Sequence, residues 1–189
     1  VGHYEGGAVD ILSGRTLEPL YRAAGGDLGN GNLAAVAWSR DGAELLLWAG
    51  GSAHAADGRR FIRRWSGAGR GPSLDIPVAG SNLNALTQIP GGRLGFVSSD
   101  PSWGLVDAKG RPTLTRQGRT ADFRSLYAGR FGVSADASMV DFGIAFGGTQ
   151  PLRFDAKRMH LDTEPPKDEL TTPPRLRVGD QALQNWQDR

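Results

Sequence analysis

The sequence predicts an all-β chain of β-propeller type, with roughly three to four blades of four antiparallel strands each. Three observations predict it. First, one pattern returns along the chain: an apolar pair, a tight turn on Asp-Gly or a substitute, and a second apolar run. Its best copies are Ala-Val-Ala-Trp-Ser-Arg-Asp-Gly (35–42), Ala-Leu-Thr-Gln-Ile-Pro-Gly-Gly (85–92) and Phe-Gly-Val-Ser-Ala-Asp-Ala-Ser (131–138); with Asp41, Pro90 and Asp136 in register they lie 49 and 46 residues apart. Second, the strand ends Val9-Asp10, Trp65-Ser66, Val106-Asp107 and Phe154-Asp155 follow one another at 56, 41 and 48 residues. Four short strands repeated at such a period are how propeller blades are written in sequence. Third, 28 glycines and 11 prolines in 189 residues supply many tight turns. The apolar residues run the whole length, so this is not a disordered low-complexity chain.

Each element follows in order. Tyr4 to Leu20 reads as a hairpin turning at Ser13-Gly14, within a partial blade over 4–24. Gly25 to Asn32 is a polar, glycine-rich connection. Leu33–Trp38 and Glu44–Ala49 pair across Arg40-Asp41-Gly42, the strongest hairpin signal in the chain. A loop over 50–60, a strand Arg60–Trp65 and a strand Ser73–Val78 complete a blade over about 33–79. The next blade, about 82–118, places strands at Asn82–Gln88, Leu94–Ser98, Trp103–Asp107 and Pro112–Gln117. A third, about 125–161, places them at Tyr127–Val133, Met139–Phe146 and Pro151–Asp155, with a weaker one near Arg158–Leu161. Pro165, Pro166, Pro173 and Pro174 make 162–175 an exposed connector. The tail 176–189 reads as the start of a further blade or a short helix. Because Val1 falls inside a repeat, the expectation is a fragment of something longer. Its end blades then need additional chain, a second subunit or an unusual closed arrangement to cover their apolar faces.

Composition excludes several classes. Twenty-two basic residues against 20 acidic ones give a net charge of +2, too little to direct the chain to nucleic acid or a membrane. The absence of cysteine excludes disulfides, thiolate nucleophiles and Cys-ligated zinc within these residues. No apolar stretch reaches the roughly 18 residues a bilayer-spanning helix needs. No basic-apolar signal segment opens the chain, and the expected setting is the cytoplasm.

The residues that could carry chemistry are few. Asp10, Asp41, Asp107, Asp136 and Asp155 are the most regular acids. Their recurrence once per repeat marks them as turn caps that bind backbone N–H groups two residues on, rather than as a ring of metal or acid/base carboxylates. His3, His54 and His160 lie too far apart to suggest a shared metal. His54, in the 50–60 loop beside Asp57, alone combines a loop position with a carboxylate neighbour. The Gly-Gly pairs read as turns, because none precedes a helix start with Lys-Ser/Thr. There is no Gly-x-Ser-x-Gly elbow and no His-Glu-x-x-His. Catalytic residues, metal and cofactor are therefore expected to be none. The basic cluster Arg59, Arg60, Arg63, Arg64 and Arg70, interleaved with Phe61 and Trp65, is the densest charge. It reads first as a protein contact and second as a nucleic-acid surface over Arg59–Arg70. The plainer reading is a solvated strand whose arginine stems cover apolar surface. Trp38, Trp48, Trp65, Trp103 and Trp186 are expected mostly in cores between sheets.

On these residues the chain resembles the WD40-repeat family over about 4–161. Ala35–Gly42 looks like that family's first strand and its Asp-Gly turn, and Gly2-His3 is the one Gly-His pair. Val9-Asp10, Trp65-Ser66, Val106-Asp107 and Phe154-Asp155 look like degenerate forms of its Trp-Asp dipeptide. The style is similar to the divergent propellers attached to bacterial caspase-like proteases and signalling proteins. There the propeller is the sensing or docking part, and the His/Cys dyad lies in a separate domain. The resemblance implies a non-catalytic scaffold whose partner is another protein or the remaining blades of the same one; the uncovered end blades add a homo-oligomer as an alternative. The competing readings are a propeller enzyme of hydrolase or lactonase type and a nucleic-acid-binding surface. The expected contact region is Arg59, Arg60, Arg63, Arg64, Arg70 and His54.

Overall fold

A computed structural model describes residues 1–25, 28–100, 102–117, 121–122, 131–142, 144–145 and 152–162. Of the connector expected over 162–175 only Asp162 is described, as the last residue of a strand and not as connector; the rest of it, the tail over 176–189 with Trp186, and residues 127–130 and 146 lie outside the described residues. The protein is all-β: its strands form antiparallel sheets, and the one helical turn among the described residues is a short 3-10 turn at Gly67–Gly69. No helix among the described residues is long and apolar enough to cross a membrane.

Three sheets have four strands each, laid side by side in chain order. The first contains β3 (Ala35–Asp41), β4 (Glu44–His54), β5 (Arg60–Trp65) and β6 (Ser73–Ala79). The second contains β7 (Leu83–Ile89), β8 (Arg93–Ser98), β9 (Ser102–Val106) and β10 (Pro112–Gln117). The third contains β12 (Gly132–Val133), β13 (Met139–Phe142), β15 (Leu152–Asp155) and β16 (His160–Asp162). Ahead of them β1 (Asp10–Leu12) pairs with β2 (Pro19–Arg22), and Val1–His3 joins the other side of β1 through a Gly2–Val9 bridge. β11 (Ala121–Asp122) pairs with β14 (Ile144–Ala145) apart from the third sheet. The sequence therefore expects one strand over Met139–Phe146 where β13 and β14 serve two different sheets.

Strand alternation explains how the sheets stack. Along β4, Leu47 and Ala49 face one way, into a core with Val9, Ile11 and Ala23 of the N-terminal hairpin. Leu46 and Trp48 face the other way, into a core with Leu83, Leu94 and Phe96 of the second sheet. The second sheet repeats the device. Its Ile89, Val97, Trp103 and Leu105 turn away from that core and pack on Val133, Val140, Leu152 and Phe154 of the third sheet. Trp103 meets Phe154 edge-on at 4.9 Å between ring centroids. Apolar residues on both faces are what a sheet buried on both sides requires. Each core thus joins consecutive units of the chain.

One boundary differs from expectation in a way that matters for the site. The loop expected over 50–60 is strand as far as His54, with an irregularity in pairing between Gly50 and His54, so the loop proper is 55–59. Two local contacts carry the strand through the glycines. Gly50 lies so close to the second sheet that a Cβ would stand 2.7 Å from Leu83. The Ser52 N–H donates to Asn32 Oδ1 at 3.2 Å, which ties the strand to the connector.

Candidate functional site

The meander order gives each sheet two unlike ends. The two-residue turn after β3 and the 66–72 connection after β5, with its 3-10 turn, share one end of the first sheet. The 55–59 loop and the connectors into β3 and out of β6 share the other.

The turn end is held by the regular aspartates and by bonds from one sheet to the next. Asp107 accepts the N–H groups of Lys109 at 3.0 Å and Arg111 at 2.8 Å, and Asp155 accepts those of Lys157 and Arg158, both at 2.9 Å. Asp136 accepts from Ser138 N, from the Ser134 and Ser138 hydroxyls and from Lys157 Nζ; these donors, Ser138 first, hold its carboxyl far below the usual carboxylate range. Burial raises the Asp107 pKa, but the Arg111 and Lys109 bonds more than offset this and leave it lowered. Between sheets, Trp48 Nε1 donates to Ser39 Oγ at 2.6 Å, and that hydroxyl donates to the Gly92 carbonyl at 3.2 Å. Arg93 donates to the carbonyl of Ala135 at 2.9 Å.

Asp10 departs from the capping expectation. It lies at the start of β1, opposite Arg22 on β2. Its carboxylate accepts from Arg22 Nε at 2.8 Å and pairs with His3 Nε2 at 2.8 Å, not with a turn N–H. The Arg22 bond, then the His3 bond, lower its pKa to about 2. Asp141 takes a similar part on the third sheet: Arg153, opposite it on β15, reaches both its oxygens at 2.7 and 2.9 Å.

The five expected arginines do not converge. Along β5, Arg63 shares a face with Phe61 and Trp65, its guanidinium 5.6 and 5.9 Å from their rings, and grips Asp75 with two bonds of 2.6 and 2.7 Å. Arg64, one residue on, belongs to the opposite face and donates to the Ala108 carbonyl on the second sheet. Arg70 lies beyond the other end of β5 and stacks 3.7 Å above Tyr21. Arg59 and Arg60 remain at the loop end. Arg59 pairs with Asp57 at 2.8 Å while staying more than half exposed, and Arg60 donates to Asn82 Oδ1 at 3.1 Å. Six residues of strand, about 17 Å, separate Arg60 from the turn that leads to Arg70. His54 stands across from Arg60 at the end of β4, and its backbone carbonyl accepts from Asn30 Nδ2. Asp57, the carboxylate expected to serve His54, binds Arg59 instead, and that bond lowers its pKa.

The loop end also holds polar residues that sequence reasoning passed over. The Asn32 carbonyl accepts from Ala53 N at 3.1 Å and the Asn82 carbonyl accepts from Ser99 N at 2.9 Å. Asn84 and Ser99 exchange side-chain bonds of 2.9 and 3.1 Å. Asp100 accepts from Gly80 N at 2.7 Å and from Ser102 N at 3.1 Å. Burial works against the Asp100 charge, yet the Ser102 and Ser98 hydroxyls, and after them these backbone donors, leave its pKa lowered. A signal was available, because Asn32-Leu33 and Asn82-Leu83 are the same pair 50 residues apart, in step with the turn repeat. Among the described residues, no three His, Cys, Asp or Glu side chains gather to hold a metal ion. No protein-family model matches the chain, and no curated protein matches it.

Proposed function

We propose that this chain is a propeller-type, WD40-like scaffold of roughly three to four blades that binds a protein partner without catalysing a reaction. One observation carries the reading: four-stranded meanders stack face to face in chain order, with aspartate-capped turns at one end and polar connections at the other. A rigid stack of sheets presenting loops at one end is a common way to hold a recognition surface. The regular aspartates whose bonds are described serve turns or ion pairs, which favours a scaffold over a propeller hydrolase. The arginines lie on two faces and at both ends of β5, which favours a protein contact over a nucleic-acid track along Arg59–Arg70. Arg59, Arg60 and His54 at the loop end are the contact residues in this reading. Arg63, Arg64 and Arg70 hold the fold. A role as the docking part of a larger protein fits the same surface.

The test is affinity capture from the native host with the wild-type chain, an R59E/R60E variant and an R15E control in a turn of the N-terminal hairpin. Loss of a partner with the loop-end variant but not with the control supports the reading. Equal recovery from all three removes the loop end from consideration.

A further inference from the structure

Asn30-Gly31 is the one Asn-Gly pair in the chain, and it sits where the connector into β3 meets the end of β4. Asn30 is exposed, and its Nδ2 donates to the His54 carbonyl, latching the connector to the strand that enters the 55–59 loop. Asn32 continues the join through its contacts with Ser52 and Ala53. Gly31 cannot be exchanged for a bulkier residue. Its φ is +127°, and a Cβ there would stand 2.7 Å from Ser52 and Ala53 backbone atoms. The fold therefore demands an amide donor at position 30 and glycine at position 31, the dipeptide in which the following backbone nitrogen is least shielded.

We propose that Asn30 is a deamidation site whose conversion releases this latch. The Gly31 amide nitrogen attacks Asn30 Cγ; the new C–N bond closes a succinimide, and the side-chain nitrogen leaves as ammonia with the proton given up by Gly31. Water then opens the ring at either carbonyl, leaving aspartate or isoaspartate. Net, one amide and one water become a carboxylate and an ammonium ion. The product has lost the donor that held the His54 carbonyl and sets a negative charge beside that oxygen. Isoaspartate also routes the main chain through the former side chain, which displaces Asn32 from Ser52.

The folded protein, incubated in mildly alkaline buffer and digested with trypsin, yields the Ala23–Arg40 peptide, in which fragment masses separate Asn30 from Asn32. The expected result is a time-dependent conversion at Asn30, with isoaspartate among the products and Asn32 intact. The N30Q variant, which keeps the amide donor, should stay unmodified. If Asn30 stays intact in the folded protein while the same peptide converts in denaturant, the fold protects the pair and the site is refuted. Hydrogen exchange on N30D tests the latch separately. Faster exchange of the amides from Ser52 to Arg59 is expected, and exchange equal to wild type would refute the release.

Discussion

Asp141 and Arg153 face each other across β13 and β15 with side chains only 11% and 13% exposed, whereas Asp57 and Arg59 form a pair of similar length with 51% and 58% exposure. Burial decides what each pair does for stability. An exposed pair gains little against solvent screening and side-chain entropy. A buried pair loses its main counter-charge and two hydrogen bonds out of reach of water when one partner is removed, at a cost of about 3 kcal/mol or more. D141A is therefore expected to lower the unfolding free energy by about 3 kcal/mol in urea titration, and D57A to leave it close to wild type. Asp10 adds a pH dependence. Its carboxyl, held at about 2 in the folded protein against an ordinary 3.8, favours the folded state wherever it is ionised. Its contribution is present above pH 3.8 and lost as pH falls from there towards 2. D10N should flatten the fall in stability over that window in denaturant titrations at stepped pH. A slope unchanged from wild type would show that the Arg22 and His3 bonds do not supply it.

At the level of elements, the turns do more than reverse the chain, because they touch across sheets. Gly92 has φ +72°, and a Cβ there would stand 2.7 Å from Asp41 Cβ on the first sheet and 2.8 Å from Ala108 Cβ on its own. Gly42 has φ +57° and open space around it. G42A therefore carries only the left-handed backbone strain, about 1 kcal/mol, while G92A adds a collision between turns that must move apart. Thermal unfolding should show G92A clearly less stable than G42A; equal losses would mean that the turns give way freely. The same elements show what the sequence could reveal. The hairpin across Arg40-Asp41-Gly42 and the strand at Arg60–Trp65 were legible, because alternation and turn chemistry act within a few residues. The caps at Asp107 and Asp155 were legible for the same reason. The passage of β4 through Gly50 and Gly51 was not, since it depends on Leu83 and Asn32, 33 and 19 residues away. Nor was the dispersal of the arginines predicted, although a period of two along β5 sends Arg63 and Arg64 to opposite faces.

Across the whole molecule, stability should follow the number of buried faces on each sheet. In a stack where each unit contacts only its neighbours, a unit enclosed on both sides opens only when an interface on each side is lost. The second sheet meets this condition, with Leu94 and Phe96 in one core and Val97, Trp103 and Leu105 in the other. The first sheet meets it too, through Trp48 and Ile62 on one side and Leu47, Phe61 and Trp65 on the other. The N-terminal hairpin contributes Val9, Ile11 and Ala23 to a single core, and Leu20 on β2 is 60% exposed. Native-state hydrogen exchange should therefore find the slowest amides in β4 and β8. The amides of β1 and β2 should exchange through a smaller opening that leaves the two central sheets intact. W48A probes the coupling, because Trp48 lies in the core between these sheets and gives its indole N–H to the chain of bonds ending at Gly92. Truncating a buried tryptophan costs about 3–5 kcal/mol. The loss should speed exchange in β4 and β8 together while β1 and β2 exchange as before. Protection that is uniform from β1 to β10 would instead mean a single cooperative unit and would rule out a stack that opens one sheet at a time.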